Sequence, residues 1–139
     1  MCSSDLTITL NRPAKLNAWT MKMAADTASM MEKAERDAGV RVVVLTGAGR
    51  GFCSGADMSL LADAQGGSLG GDLESFKKSM FEGPRRDGAR EDFQKKYSYF
   101  PAIAKPILAA VNGAAAGLGM VLPLYCDIRF ASEIGRAHV

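Results

Sequence analysis

The sequence predicts an α/β fold with parallel strands, and three observations carry that prediction. Val42-Val43-Val44-Leu45 and Ile107 to Val111 are short continuous apolar runs, the pattern of parallel strands buried on both faces. Apolar residues recur at helical spacing between Thr20 and Arg36. Glycine-rich turns follow both strand runs, so the repeating unit is strand, glycine-rich turn, helix.

Each element has its own signal. Thr7-Ile8-Thr9-Leu10 is a β-rich run stopped by Asn11-Arg12-Pro13, a turn sequence. Thr20 is placed to cap a helix running to about Arg36, with Met23, Thr27, Met30, Met31 and Ala34 on its core face, and Gly39 ends it. After Val42–Leu45, the glycines 47, 49, 51 and 55 predict a tight loop, and a helix opens near Ala56-Asp57. From Gly66 to Arg90 the chain turns polar and glycine-rich, which predicts an excursion with at most a short helix over Asp72 to Phe81. A helix is expected from Glu91 to Ile103. A second buried strand follows over Ile107 to Asn112, then a small-residue loop over Gly113 to Gly119 leading into a short helix. Pro123 sits where it kinks or ends that helix, and Cys126 to Ala131 forms a third strand.

Bulk properties narrow the function classes. At 139 residues with 47% hydrophobic and 23% charged, the chain fits one globular domain or a large piece of one. A net charge of +2 gives no reason to expect nucleic acid or an anionic membrane as partner, and the Lys77-Lys78 and Arg85-Arg86 clusters read as solvated surface. No apolar run approaches a membrane span. Three cysteines without metal-ligand spacing argue against a disulfide framework and a zinc site, and a reducing cytoplasm is the expected compartment.

Both ends read as foreign. Cys2 to Leu6 can be encoded by TGC TCT TCC GAT CT, and Glu133 to Ala137 by GAG ATC GGA AGA GCA, its reverse complement over the shared length. Sequencing-library adapters produce such inverted copies, and an upstream GTG would supply Met1. The expected native segment is therefore 7–132, a partial domain, with tails at 1–6 and 133–139. Cys2 and His138, the one histidine, fall in those tails. A piece cut at both ends is expected to leave core faces uncovered and to be poorly folded and inactive.

Two strand-to-helix turns hold the candidate chemistry: Gly51-Phe52-Cys53-Ser54-Gly55-Ala56-Asp57-Met58 and Asn112-Gly113-Ala114-Ala115-Ala116-Gly117-Leu118-Gly119. Small residues let backbone approach a ligand, and N–H groups at a helix start favour negative charge. Two such N–H groups converging on one carbonyl oxygen form an oxyanion hole, where losing one donor costs roughly 3 kcal/mol of transition-state stabilisation. By spacing alone, glycines that merely permit tight turns explain the pattern equally well.

Ile8-Thr9-Leu10-Asn11-Arg12-Pro13 with Lys15-Leu16-Asn17-Ala18 resembles the opening of the crotonase (enoyl-CoA hydratase/isomerase) family. Phe52 to Met58 resembles that family's first oxyanion-hole segment. Lys105-Pro106-Ile107-Leu108-Ala109-Ala110-Val111-Asn112-Gly113, continuing through Gly117 to Cys126-Asp127-Ile128-Arg129, resembles its second. The three motifs occur in the family's order over nearly all of 7–132. The resemblance implies a crotonase-like spiral of repeated ββα units, here truncated, in homotrimers or dimers of trimers. It implies an acyl-CoA substrate with no metal or redox cofactor.

Carried over by position, the resemblance assigns the thioester oxygen to the backbone N–H groups of Ala56 and Leu118. The family usually has glycine where Leu118 stands, but an N–H donor needs no particular side chain. Lys15, Leu16 and Ala18 with Ser54, Ala56, Asp57 and Met58 would line the CoA pocket beside Leu118, with Lys15 meeting phosphate or adenine or simply exposed. Asp57 reads as structural, a carboxylate satisfying N–H groups at a helix start. Asp127 with Arg129 reads as a structural pair.

The acid and base depart from the hydratase pattern. The first of the hydratases' two glutamates falls on Val121, and the second would lie beyond Ser132. One remaining carboxylate suits an isomerase that shuttles a proton, or another enolate reaction. Asp63, Asp72, Glu74 and Glu82 read as solvated. The expected function is thus enolate stabilisation of the isomerase or hydratase type. A non-catalytic acyl-CoA-binding relative is the alternative, because valine cannot transfer a proton. A dinucleotide-binding domain is remote, since Gly47-Ala48-Gly49-Arg50-Gly51 and Gly117-Leu118-Gly119 do not complete G-x-G-x-x-G. A hydrolase with Cys53 or Ser54 as nucleophile lacks a native histidine and the G-x-S-x-G context.

Overall fold

Thr20 begins the first helix as its chemistry dictates: its hydroxyl accepts the Met23 N–H at 3.1 Å, satisfying one orphan donor of helix α1 (Met21–Arg36). The helix buries Ala24, Thr27, Met31 and Ala34. Met23 is only partly buried and Met30 is 37% exposed, so Met30 does not belong to the expected core face. The stripe 24, 27, 31, 34 follows the three- and four-residue steps of one face, and Met30 lies one step off it. Lys105 donates to the carbonyls of Ala34 and Asp37 at the far end, a cation on the negative pole of the helix. The helix stops at Asp37, whose carboxylate takes the Gly39 N–H at 2.8 Å.

The computed structural model describes residues 4–59 and 90–133. Most of the expected excursion, its short helix over Asp72 to Phe81, the carboxylates Asp63, Asp72, Glu74 and Glu82, both basic clusters and His138 lie outside the described residues. Four parallel strands form one sheet in the order β1 (Ser4–Leu10), β2 (Val40–Gly47), β4 (Ile107–Val111) and β6 (Ile128–Ala131). Between them in sequence, β3 (Gly51–Cys53) and β5 (Ala114–Ala115) pair in parallel as a second, two-stranded sheet. Helix α2 (Leu118–Leu124) connects β5 to β6.

Register aligns one buried face across the main sheet: Ile8 opposite Leu45, Leu45 opposite Ala109, and Val43 opposite Ile107. Val43, Leu45 and Ala109 are completely buried there, while Val42 and Val44 on the other face are half-buried. The continuous apolar run of β2 is therefore sealed on one face and only partly covered on the other. Trp19, Phe52, Phe100, Met31 and Leu122 fill the space behind the sealed face. A buried side chain of this size contributes on the order of 1.5–3 kcal/mol.

The structure corrects further expectations. β1 starts at Ser4 rather than Thr7. No continuous helix spans Glu91 to Ile103; two single 3-10 turns stand there, Glu91–Phe93 and Phe100–Ala102. Pro101 disfavours helix at Phe100 and has no N–H to give. Tyr97 instead meets Trp19 edge-on at 6.2 Å between ring centroids, and Phe100 packs against Tyr99 and Tyr125. Asp127 and Arg129 do not pair. Asp127 accepts the Ile107 N–H at 2.8 Å, tying β6 to β4, and Arg129 donates to the carbonyls of Cys126 and Pro123 at the end of α2. The two residues serve different backbone ends, which a one-residue gap in sequence does not reveal.

Candidate active site

The first turn is held by the segment that follows β1. After the 3-10 turn Pro13–Lys15, Leu16 and Asn17 take left-handed backbone, at φ 47° and 55°. Such a conformation costs an ordinary residue roughly 1–2 kcal/mol, and a short amide side chain offsets it with local hydrogen bonds. Asn17 is fully buried. Its Oδ1 accepts the Arg12 N–H at 2.8 Å, and its Nδ2 donates to the Ala48 and Gly51 carbonyls at 2.9 Å each.

Beyond Asn17 the backbone runs parallel to residues 54–57. Ser54 N–H donates to Leu16 C=O at 3.0 Å, Trp19 N–H to Gly55 C=O at 2.7 Å, and Asp57 N–H to Trp19 C=O at 2.9 Å. Trp19 thus bonds the residues flanking Ala56, as a parallel bridge requires, and the Ala56 N–H faces the opposite side. Arg12 closes the arrangement. One guanidinium nitrogen donates to Ala18 C=O at 2.7 Å and to Asp57 Oδ2 at 2.8 Å.

The second turn relies on close backbone approach. Ala116 N–H donates to Cys53 C=O at 3.0 Å, and Gly117 then adopts φ 52°, ψ −122°, a conformation for glycine. Leu118 follows as the first residue of α2. A methyl group on Gly119 would lie 2.0 Å from the Cys53 carbonyl oxygen, so the helix start is pressed directly on β3.

The two turns touch. A Cβ on Gly55, itself at φ 102°, would lie 3.0 Å from the Ala116 carbonyl oxygen and 3.9 Å from Gly117 Cα. Gly55 and Gly117 are the residues immediately before Ala56 and Leu118. Among the described residues, neither the Ala56 N–H nor the Leu118 N–H donates to a protein acceptor. Buried or half-buried backbone donors are seldom left so, and both sit at half-buried residues on adjoining turns.

Other expected lining residues fall around this point. Lys15 is exposed, with its carbonyl receiving the Ser54 hydroxyl at 3.3 Å. Leu16 and Ala18 are half-buried, Ser54 is exposed and Met58 is 74% exposed. Asp57 is satisfied as a structural carboxylate: Oδ1 accepts the Ser59 N–H at 3.0 Å and its hydroxyl at 2.8 Å, and Oδ2 meets Arg12. The Ser59 N–H first, then Arg12, hold its pKa well below the ordinary carboxylate range. Cys53 is buried, and burial raises its pKa, which opposes thiolate formation. Val121 is 36% exposed on α2, a helix without a carboxylate.

An open groove of about 670 Å³ lies elsewhere, between β1 and α1, with Thr7 to Arg12, Met23, Thr27 and Met30 along it. It includes neither N–H donor, so it is not the site assembled by the two turns. Among the described residues no three His, Cys, Asp or Glu side chains cluster to hold a metal, and no helix is long and apolar enough to cross a membrane.

Sequence reasoning passed over three residues that organise the site. Asn112 mirrors Asn17 from the other side: its Oδ1 accepts the Gly47 N–H at 3.1 Å and its Nδ2 donates to the Gly49 carbonyl at 2.9 Å. The glycine turn between β2 and β3 is thereby pinned by two asparagines, and Arg12 braces the turn beyond it. An asparagine directly after a proline turn, where left-handed backbone is accessible, was the available signal for Asn17. No local signal marks Arg12, whose partner is 45 residues away.

Known proteins converge on one family. A family model described as enoyl-CoA hydratase/isomerase matches residues 6–137. The chain is 37% identical over 131 residues to 1,2-epoxyphenylacetyl-CoA isomerase of Escherichia coli (strain K12), covering 92% of this chain and 44% of that protein. It is 36% identical over 125 residues to a Mycobacterium leprae protein named as a probable enoyl-CoA hydratase, covering 90% of this chain and 39% of that one. Pseudomonas aeruginosa PA4980 superimposes with a TM-score of 0.77 at 34% identity, over 99% of this chain and 52% of the solved chain. The chain thus spans about two fifths of the length of these two sequence relatives.

Proposed function

The chain belongs to the enoyl-CoA hydratase/isomerase family, with the crotonase fold, and from that premise we propose that its full-length protein binds an acyl-CoA thioester and stabilises the enolate. The Ala56 and Leu118 N–H groups receive the thioester oxygen. The observation that carries this reading is that, among the described residues, both donors lack a protein acceptor while the glycines preceding them lie in contact. Fixed N–H dipoles need no reorganisation as negative charge builds on the oxygen, which is the source of oxyanion-hole catalysis. Lys15, Leu16, Ala18, Ser54, Asp57 and Met58 border the site as its CoA-side lining. Residues 7–132 are the native part of a longer domain, and the full-length protein assembles as a homotrimer or a dimer of trimers.

Val121 bears on the subclass. Two-carboxylate hydration needs an acid at this position, and a valine neither positions water nor moves a proton. The reaction that remains is a proton shuttle by a single carboxylate supplied outside α2, the isomerase type. The same valine supports a second reading, a protein that binds acyl-CoA without turning it over.

Proline replacement tests the oxyanion hole at one position. Leu118 is the first residue of α2, where proline is tolerated; it removes the N–H together with a leucine side chain packed on the core, a loss that Leu118→Ala reproduces with the N–H kept. In the full-length protein, Leu118→Pro should slow exchange of the acyl α-proton with deuterated solvent by about 10²–10³-fold while acyl-CoA still binds. Unchanged exchange would remove Leu118 from the site. Wild-type protein that binds acyl-CoA but shows no exchange would establish the binding reading instead.

A further inference from the structure

Arg12 connects to both flanks of the bridge that aims the first donor. Its guanidinium reaches the Ala18 carbonyl, one residue before Trp19, and the Asp57 carboxylate, one residue after Ala56. Trp19 and Ala56 are the two bridged residues between those anchors. The arginine is itself fixed at the backbone: its N–H goes to Asn17 and its carbonyl accepts the Lys15 and Asn17 N–H groups at 2.9 and 3.0 Å. Its side chain is 34% exposed and that of Asp57 15%, so the pair sits at the rim of the site rather than in the core.

Resting on the oxyanion reading above, we infer that Arg12 is a positioning residue for the Ala56 N–H. It clamps residues 18 and 57 so that the donor between them holds its direction when the thioester oxygen gains charge. The two N–H bonds of one planar guanidinium nitrogen hold two acceptors at a set angle, a restraint that a freely rotating ammonium group does not reproduce. Displacing a catalytic donor by about 1 Å can cost 10²-fold in rate without touching binding. The Asp57 anchor also receives Ser59, so the clamp is continuous with the chain that leaves the turn.

The test uses the full-length protein and the infrared carbonyl band of a bound acyl-CoA, which moves to lower frequency when an oxyanion hole polarises it. Arg12→Ala should lose most of that shift and lower kcat about tenfold to a hundredfold, with the Kd for free CoA unchanged. Added guanidinium should restore part of both. Arg12→Lys, which keeps the charge and lacks the planar nitrogen, should fall between and serves if Arg12→Ala fails to fold. A folded Arg12 variant that keeps the full carbonyl shift overturns the positioning role while leaving the oxyanion hole intact. Absence of the shift in wild type overturns the oxyanion reading and this inference together.

Discussion

The two turns that carry the candidate donors do the same job with different materials. The first, before Ala56, is held by polar groups: Asn17 inside the loop, Arg12 and Asp57 across it, and three backbone bonds along residues 16–19. The second, before Leu118, is held by contact, with Gly113 and Gly119 lying against the Arg50 and Cys53 carbonyls where no Cβ fits. Hydrogen bonds set direction and tolerate small displacement, whereas steric contact at van der Waals distance permits almost none. The second turn should therefore fail through added volume, and the first through lost partners or altered charge.

The largest effect expected from this contrast is at Gly119. An alanine there places a methyl 2.0 Å from the Cys53 oxygen, backbone against backbone, so α2 or β3 must shift. Gly119→Ala should destabilise by roughly 3 kcal/mol or more, beyond the usual cost of overpacking. Gly117→Ala is the informative control. Among the described residues its methyl meets only Gly55 Cα, at 4.0 Å, so its cost is backbone strain, about 1–3 kcal/mol. Denaturant titration of both variants in the full-length protein decides the order; equal losses would mean that contact with β3 is not what fixes the second turn.

Asn17 is the corresponding weak point of the first turn. Asn17→Ala removes three hydrogen bonds at a fully buried site, strands the Ala48 carbonyl, leaves the Gly51 carbonyl to a long 3.4 Å bond from Asn112 and puts alanine in left-handed backbone. A loss of about 2–4 kcal/mol follows. Asn17→Asp should be no better despite its matching shape, because a carboxylate cannot donate to two carbonyls. A mild Asn17→Asp in thermal or denaturant unfolding would show that shape rather than the donor pair holds the loop.

Much of this architecture was legible in the sequence, and the parts that were not share a cause. Helix α1 announced its start through Thr20, and β2 and β4 announced themselves as apolar runs, because capping and strand burial are local rules. β3 and β5 were read as loop. Three- and two-residue strands have too few positions to show a period, and they exist because two glycine turns are brought side by side. The expected helix at Glu91–Ile103 failed because Tyr97 and Phe100 are placed by distant partners, not by their own spacing. Both turns were picked out by their small residues between strand and helix and given a role by motif resemblance; the clamp across the first was invisible, since Arg12 and Asp57 are linked only by the fold.

A smaller effect is expected at Lys105, which braces neither turn. It caps α1 by donating to the Ala34 and Asp37 carbonyls. Lys105→Met keeps the aliphatic stem and removes the donors, so a loss near 1 kcal/mol is expected in denaturant unfolding. Activity per folded molecule should stay unchanged, in contrast to Arg12. A Lys105→Met enzyme with normal stability but reduced turnover would contradict the separation of capping from site geometry.

The last expectation concerns acid, and only the first turn should feel it. Asp57 has its folded pKa lowered by the Ser59 N–H and Arg12, so protonation is harder in the folded state than in the unfolded chain. A lowered folded pKa contributes stability that is complete above the unfolded value, about 3.9, and is lost as pH falls from there toward the folded value. Asp57→Asn should therefore flatten the acid limb of the stability profile below about pH 4, with little change in its shape near neutrality. The second turn has glycines and alanines where the first has a carboxylate and a guanidinium, so Gly117→Ala should shift the whole profile without altering its acid slope. If Asp57→Asn leaves that slope as it was, Arg12 and Ser59 are not holding a charge there, and the polar description of the first turn gives way to one of packing alone.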